Sequence, residues 1–125
     1  MKKIESFEAA CEVTGRDAKN LPDVSMLEPS TQKFLMAVFK LTIIAEAINE
    51  KWKADYSNWD QKKWTPYFIK TEGDPSSAFV FDVTDCDWAT SDSAVGSRLC
   101  FESSEAAKYA GTTFIELYNE MLDNK

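Results

Sequence analysis

The sequence predicts an α+β protein: a small three-stranded antiparallel meander packed against a long central helix and a C-terminal helix, with a short helix at the N-terminal end. Three observations predict it. Phe34, Val38, Leu41, Ala45, Ile48 and Trp52 recur at alternating steps of four and three, the spacing of one continuous helical face. Ala78–Val83 alternates with the two-residue period of a strand. Ala107, Ala110, Phe114, Leu117 and Met121 return to the helical period near the end of the chain. Short connections between the strands favour a meander with helices on one face, and 125 residues fit a single domain, 1–125.

The elements follow in order. Ser6 is an N-cap for a helix over Phe7–Thr14, Glu8 complements its dipole, and Gly15 supplies a left-handed stop. Phe7, Ala10 and Cys11 then share a face. Residues 16–28 connect to the long helix, with Leu21-Pro22 opening an extended stretch. Pro29 is acceptable in a first helical turn, and the helix is expected to run to about Trp52. Leu35, Met36, Phe39, Ile43 and Ile44 make its middle apolar nearly all round, so it is expected to be buried on several sides.

Residues 53–64 are polar with interleaved aromatics and no period, which is a loop. The first strand is expected over Thr65–Thr71, and Pro66 restricts it to a strand start or an edge. Gly73-Asp74-Pro75-Ser76 is a turn signal. In the strand Ala78–Val83, Phe79, Phe81 and Val83 face one way and Val80 and Asp82 the other. Asp85–Ser93 reads as an acidic loop containing Trp88. A third strand is expected over Ser97–Glu102, with Leu99 and Phe101 inward. Ser103 caps the last helix, and Glu105 lies in its first turn. Gly111 inside that helix costs about 1 kcal/mol relative to Ala, so it is expected to mark the close approach of another element.

Composition narrows the function. The chain has no histidine, which excludes Ser-His-Asp and Cys-His catalysis, imidazole metal sites and histidine pH switches. Its net charge of −7 opposes binding to a phosphate backbone. The charge is uneven: residues 1–71 carry +1 and residues 72–125 carry −8. That acidic half is either a solvated face or a docking surface for a basic partner. The three cysteines, Cys11, Cys86 and Cys100, form no CxxC, so neither a zinc site nor a disulfide framework is expected. Met1-Lys2-Lys3 is followed by no apolar signal-type run. Phe34 to Ala45, broken by Lys40 and Thr42, is too short for the roughly 20 residues a bilayer requires. A reducing cytoplasmic setting is the expectation.

Several segments carry a resemblance. They are Lys40-Leu41-Thr42-Ile43-Ile44-Ala45-Glu46-Ala47-Ile48-Asn49-Glu50, Trp64-Thr65-Pro66-Tyr67-Phe68, Val95-Gly96-Ser97-Arg98-Leu99-Cys100-Phe101, and Glu105-Ala106-Ala107-Lys108-Tyr109-Ala110-Gly111. Together with Phe114 and Leu117-Tyr118 beyond, the chain from Ser6 onward resembles a group of small phage- and prophage-encoded proteins of gut bacteria. The resemblance implies a phage or prophage context and one small domain. It implies no activity and no catalytic residues. Trp88–Ser93 departs from the group.

Four residues are candidates for a partner or ligand surface: Trp59, Trp64, Trp88 and Arg98. Trp52, Tyr56, Trp59, Trp64, Tyr67 and Trp88 either form an aromatic surface for a partner or cap the ends of a small core. Arg98, one of three basic residues in the acidic half, either clamps a carboxylate or phosphate bidentately or pairs across the sheet with Asp82. Asp82, Asp85, Asp87 and Asp92 lack the spacing of a calcium loop. Cys100 beside Arg98 has no histidine to activate it. No cofactor, metal or catalytic residue is expected. Three functions remain: a non-catalytic phage- or prophage-associated module that binds another protein, with a host protein among the candidate partners; a domain that holds an anionic or sugar-like ligand through Arg98 and loop aromatics; and an acidic decoy of a nucleic-acid-binding protein. Direct nucleic-acid or membrane binding is not expected.

Overall fold

The computed structural model describes residues 1–70, 78–88 and 97–123, with the backbone alone at Val83, residues 85–88 and Ser97. The turn expected at Gly73–Ser76 and most of the loop leading to Ser93 therefore lie outside the described residues. Among those described, the fold is α+β with four α-helices and a two-stranded antiparallel sheet.

Local chemistry sets both ends of the first helix and the starts of the second and third as expected. Helix α1 spans Phe7–Thr14; the Ala9 N–H donates to Ser6 Oγ at 3.1 Å. Gly15 adopts φ +75°, and the Arg16 N–H donates to the Cys11 carbonyl at 2.8 Å to close the turn. Helix α2 spans Pro29–Asn49 with the proline at its first position. Its first turns project, leaving Phe34 and Leu35 exposed, whereas Ala37, Leu41, Ile43, Ile44, Ala45, Ala47 and Ile48 are buried. The central pillar is thus the C-terminal two-thirds of the helix.

That helix ends three residues before the expected Trp52. Asn49 ends it by a tertiary interaction: its Nδ2 donates to the Cys100 carbonyl at 2.8 Å, and its Oδ1 accepts from the Glu102 N–H at 3.2 Å. The same two bonds hold the segment where the third strand was expected, and it is not a strand. Ser97–Leu99 is a 3-10 turn, and only Phe101 pairs with the sheet, through reciprocal bonds with Trp64 at 3.0 and 2.8 Å. With Asn49 holding the backbone on either side of Phe101, a single bridge replaces the expected strand over Ser97–Glu102.

Strand β1 covers Lys62–Ile69 and pairs with β2, Val80–Trp88. The sheet therefore begins earlier in β1 and extends further in β2 than alternation suggests, and Asp85 to Trp88 belong to a strand rather than a loop. Trp64 turns its amide toward Phe101, so by the two-residue period Pro66 faces that same outer edge, where a missing N–H is tolerated. Between Tyr67 and Phe68 the register shifts, leaving Asp82 as the extra residue of a bulge.

The last helix divides. Helix α3 covers Ser104–Thr113 and α4 covers Ile115–Leu122, with Phe114 (φ −110°, ψ 32°) between them. Ser103 Oγ accepts the Ala106 N–H at 3.1 Å, as its cap position predicts. Gly111 and two threonines weaken the helix before the break; Thr112 Oγ1 donates back to the Lys108 carbonyl at 2.8 Å, an arrangement that bends helices. Among the described residues the sheet packs mainly on α3 rather than on the long helix, while α2 is covered mainly by α1, α4 and the 3-10 turn. Asn119 of α4 acts as a substitute strand: it accepts the Phe79 N–H at 2.6 Å and donates to the Phe79 carbonyl at 2.9 Å.

Candidate functional site

Two features arise where α2 ends. The first is the turn that carries the chain out of the helix. The Trp52 N–H donates to the Asn49 carbonyl at 3.0 Å, and Glu50 between them takes φ +57°, ψ −110°. That is the first central position of a type II′ turn, normally glycine. Strain of this kind costs about 1–3 kcal/mol, and glycine's added freedom in the unfolded chain recovers less than that. Glu50→Gly is expected to raise stability by about 1 kcal/mol on that balance. A lowered urea midpoint at unchanged slope would show that the turn is relaxed.

The strained residue lines a cleft of about 430 Å³. Arg16 from the turn after α1, Glu46 and Asn49 from α2, Trp52 and Lys53 beyond it, and Arg98 from the 3-10 turn form its charged and polar wall. Ile43 and Ala54 add apolar surface. Arg16 Nη1 lies 2.8 Å from Glu46 Oε2, and the N-terminal ammonium lies 3.9 Å from Glu50 Oε2. Arg98 is exposed, and among the described residues it has no ion-pair partner; Asp82, the expected mate, is exposed on the bulge of β2. Lys53 likewise has no ion-pair partner among the described residues.

The second feature is the loop that leaves this cleft. Although aperiodic in sequence, residues 53–61 are tied into a closed unit. The Asp55 N–H donates to Gln61 Oε1 at 2.6 Å, and Gln61 Nε2 donates to the Lys53 carbonyl at 2.9 Å. The Ser57 hydroxyl and N–H both donate to Asp55 Oδ1, at 2.5 and 2.9 Å, and hold that exposed carboxyl below the ordinary range, the hydroxyl most strongly. The Asp60 N–H donates to Asn58 Oδ1 at 3.0 Å.

Lys63 completes the unit from β1. Its side chain is fully buried; Nζ donates to the Gln61 carbonyl at 2.9 Å and the Asn58 carbonyl at 3.5 Å, and lies 4.9 Å from the centre of the Tyr56 ring. Two carbonyls and an aromatic face thus replace its hydration. The Tyr56 hydroxyl in turn lies 3.5 Å from Cys100 Sγ.

At the tip of this tied loop stands Trp59, 77% exposed. The other candidates are placed on other elements. Trp64 is half-buried and packs against the core. Trp88 is described in its backbone only, paired with Lys62. Tyr67 is exposed on β1. Trp52 belongs to the cleft with Arg98. The sequence singles out Trp59 and Arg98 as candidates, and both are exposed, but it passes over Lys63, Asn49 and Glu50, whose placement depends on contacts distant in the chain or on an unusual backbone angle.

Cys11 and Cys100 are buried, and burial pushes the Cys11 thiol up, away from the reactive thiolate. No three His, Cys, Asp or Glu side chains come together as a metal site among the described residues. The acidic array of the decoy reading, and the aspartates weighed for calcium, rest partly on Asp85, Asp87 and Asp92, whose side chains lie outside the described set. No helix among the described residues is long and apolar enough to cross a membrane. Comparison with known protein families, curated proteins and solved structures yields no match for the chain.

Proposed function

We propose that this chain is a non-catalytic module that binds another protein through the loop bearing Trp59. The observation that carries the reading is an indole 77% exposed on a loop held by its own hydrogen bonds. An exposed tryptophan leaves a large apolar area in water, and aromatic anchors of this kind dominate binding energy at protein interfaces. The loop is ordered before contact, so little conformational entropy is lost on docking. The partner it suits offers an apolar pocket for the indole. The phage or prophage context rests on the sequence resemblance, and a host protein is the partner that context suggests.

The test is capture from bacterial lysate with wild type, Trp59→Phe and Trp59→Ala as bait, followed by affinity measurement on the captured protein. The expected result is a defined partner whose binding falls about 30-fold or more in Trp59→Ala, the loss typical of an interface hot spot. Trp59→Phe is expected to retain part of it. A partner bound equally by wild type and Trp59→Ala would overturn the proposal, as would the capture of none.

A further inference from the structure

The cleft at the end of α2 has a chemistry of its own, independent of Trp59. We propose that it binds a small monocarboxylate carried on a flat ring. Its volume, about 430 Å³, lies within the roughly 300–1,000 Å³ usual for small-molecule pockets. Three cations and two carboxylates line it, a net of +1 in a chain of net −7. Arg16 and Glu46 compensate one another at 2.8 Å. Arg98 and Lys53 remain without ion-pair partners among the described residues.

Arg98 is the anchor. It is presented by a turn packed on α2, between the sheet-bridging Phe101 and the helix, next to the buried Leu99. Its backbone is therefore fixed while its guanidinium stays open to solvent. That planar fork matches the two oxygens of a carboxylate. Glu46 and Glu50 in the same wall oppose a dianion such as phosphate, whereas a single negative charge balances the lining. Trp52, half-buried at the cleft, supplies an aromatic wall, and Ile43 and Ala54 supply apolar surface beside it. A flat ring lies well against such a wall.

The experiment titrates the ¹⁵N-labelled full chain with benzoate, nicotinate and indole-3-carboxylate, following the Trp52 indole N–H and the Arg98 Nε–H by NMR. Benzyl alcohol controls for the ring without the charge, and inorganic phosphate for the charge without the ring. At least one carboxylate is expected to shift both signals saturably, with each control at least about tenfold weaker, the scale of a lost charge-assisted pair. Arg98→Gln is expected to weaken that carboxylate by about tenfold or more on the same basis, and Glu50→Gln to strengthen it. Trp59→Ala is expected to leave it unchanged, which separates this site from the docking loop. The proposal is overturned if none of the three saturates the two signals, if Arg98→Gln binds as wild type, or if phosphate binds as tightly as the best carboxylate.

Discussion

Phe114→Ala is expected to destabilise the protein by about 3–5 kcal/mol, the usual cost of emptying a buried phenylalanine site. Phe114 is 7% exposed and belongs to the continuous core of Leu41, Ile44, Ile48, Phe101, Ala107 and Tyr118. It also stands at the joint between α3 and α4. Its N–H donates to the Ala110 carbonyl at 2.9 Å, and its carbonyl accepts the Tyr118 N–H at 3.1 Å. The joint leaves the core little freedom to collapse into the space a smaller residue would vacate, because Tyr118 of α4 packs against Phe68 of β1, with ring centres 4.7 Å apart and planes tilted by 35°. Native stability is typically about 5–15 kcal/mol, so the loss is a large fraction of the whole. Urea unfolding checks it: the midpoint is expected to fall with the slope unchanged. Phe114→Leu keeps most of the volume and is expected to cost less than about 1.5 kcal/mol. A change below about 1 kcal/mol in the alanine variant would place the joint outside the core.

The parts of this fold that were legible in the sequence are those decided within one turn of helix. Ser6, Gly15, Pro29 and Ser103 act on backbone groups a few residues away, and each lies at its expected boundary. The buried faces of α1 and of the second half of α2 follow from periodicity for the same reason. What sequence reasoning misplaced was decided at long range. Asn49 ends α2 and prevents a third strand by bonding residues more than fifty positions away. Asn119 fixes the entry to β2 across forty positions. Neither asparagine carries a local signal that distinguishes it from a solvated one. Lys63 inverts the usual rule for lysine because two loop carbonyls and the Tyr56 ring lie within its reach.

The candidate site divides the same way. Trp59 could be read from a tryptophan in a polar stretch, and Arg98 from one of only three cations in an acidic half. The cleft around Arg98 could not, since its walls come from the turn after α1, the end of α2, the chain beyond it and the 3-10 turn.

Gly111 tests the packing of sheet on helix most directly, because helix propensity and tertiary packing predict opposite signs there. In an isolated helix Gly→Ala is worth about 1 kcal/mol in alanine's favour. Here a Cβ at Gly111 would fall 2.8 Å from Pro66 Cβ and 2.8 Å from Phe81 Cδ2. The proline ring cannot rotate away, and the Phe81 ring stands edge-on to Phe68 at 6.5 Å, which itself packs against Tyr118. Relief therefore requires α3 to move off both strands. Overpacking of this kind costs about 1–3 kcal/mol per site, occasionally more. Gly111→Ala is expected to destabilise by about 1–2 kcal/mol after the propensity gain, and the bulkier Gly111→Val by about 3 kcal/mol or more. A double-mutant cycle locates the cause: in a Phe81→Ala background the added methyl loses one of its two clashes, so Gly111→Ala is expected to cost measurably less there than in wild type. Equal costs in the two backgrounds would assign the whole penalty to Pro66, and a stabilising Gly111→Ala would mean that α3 does not carry the sheet.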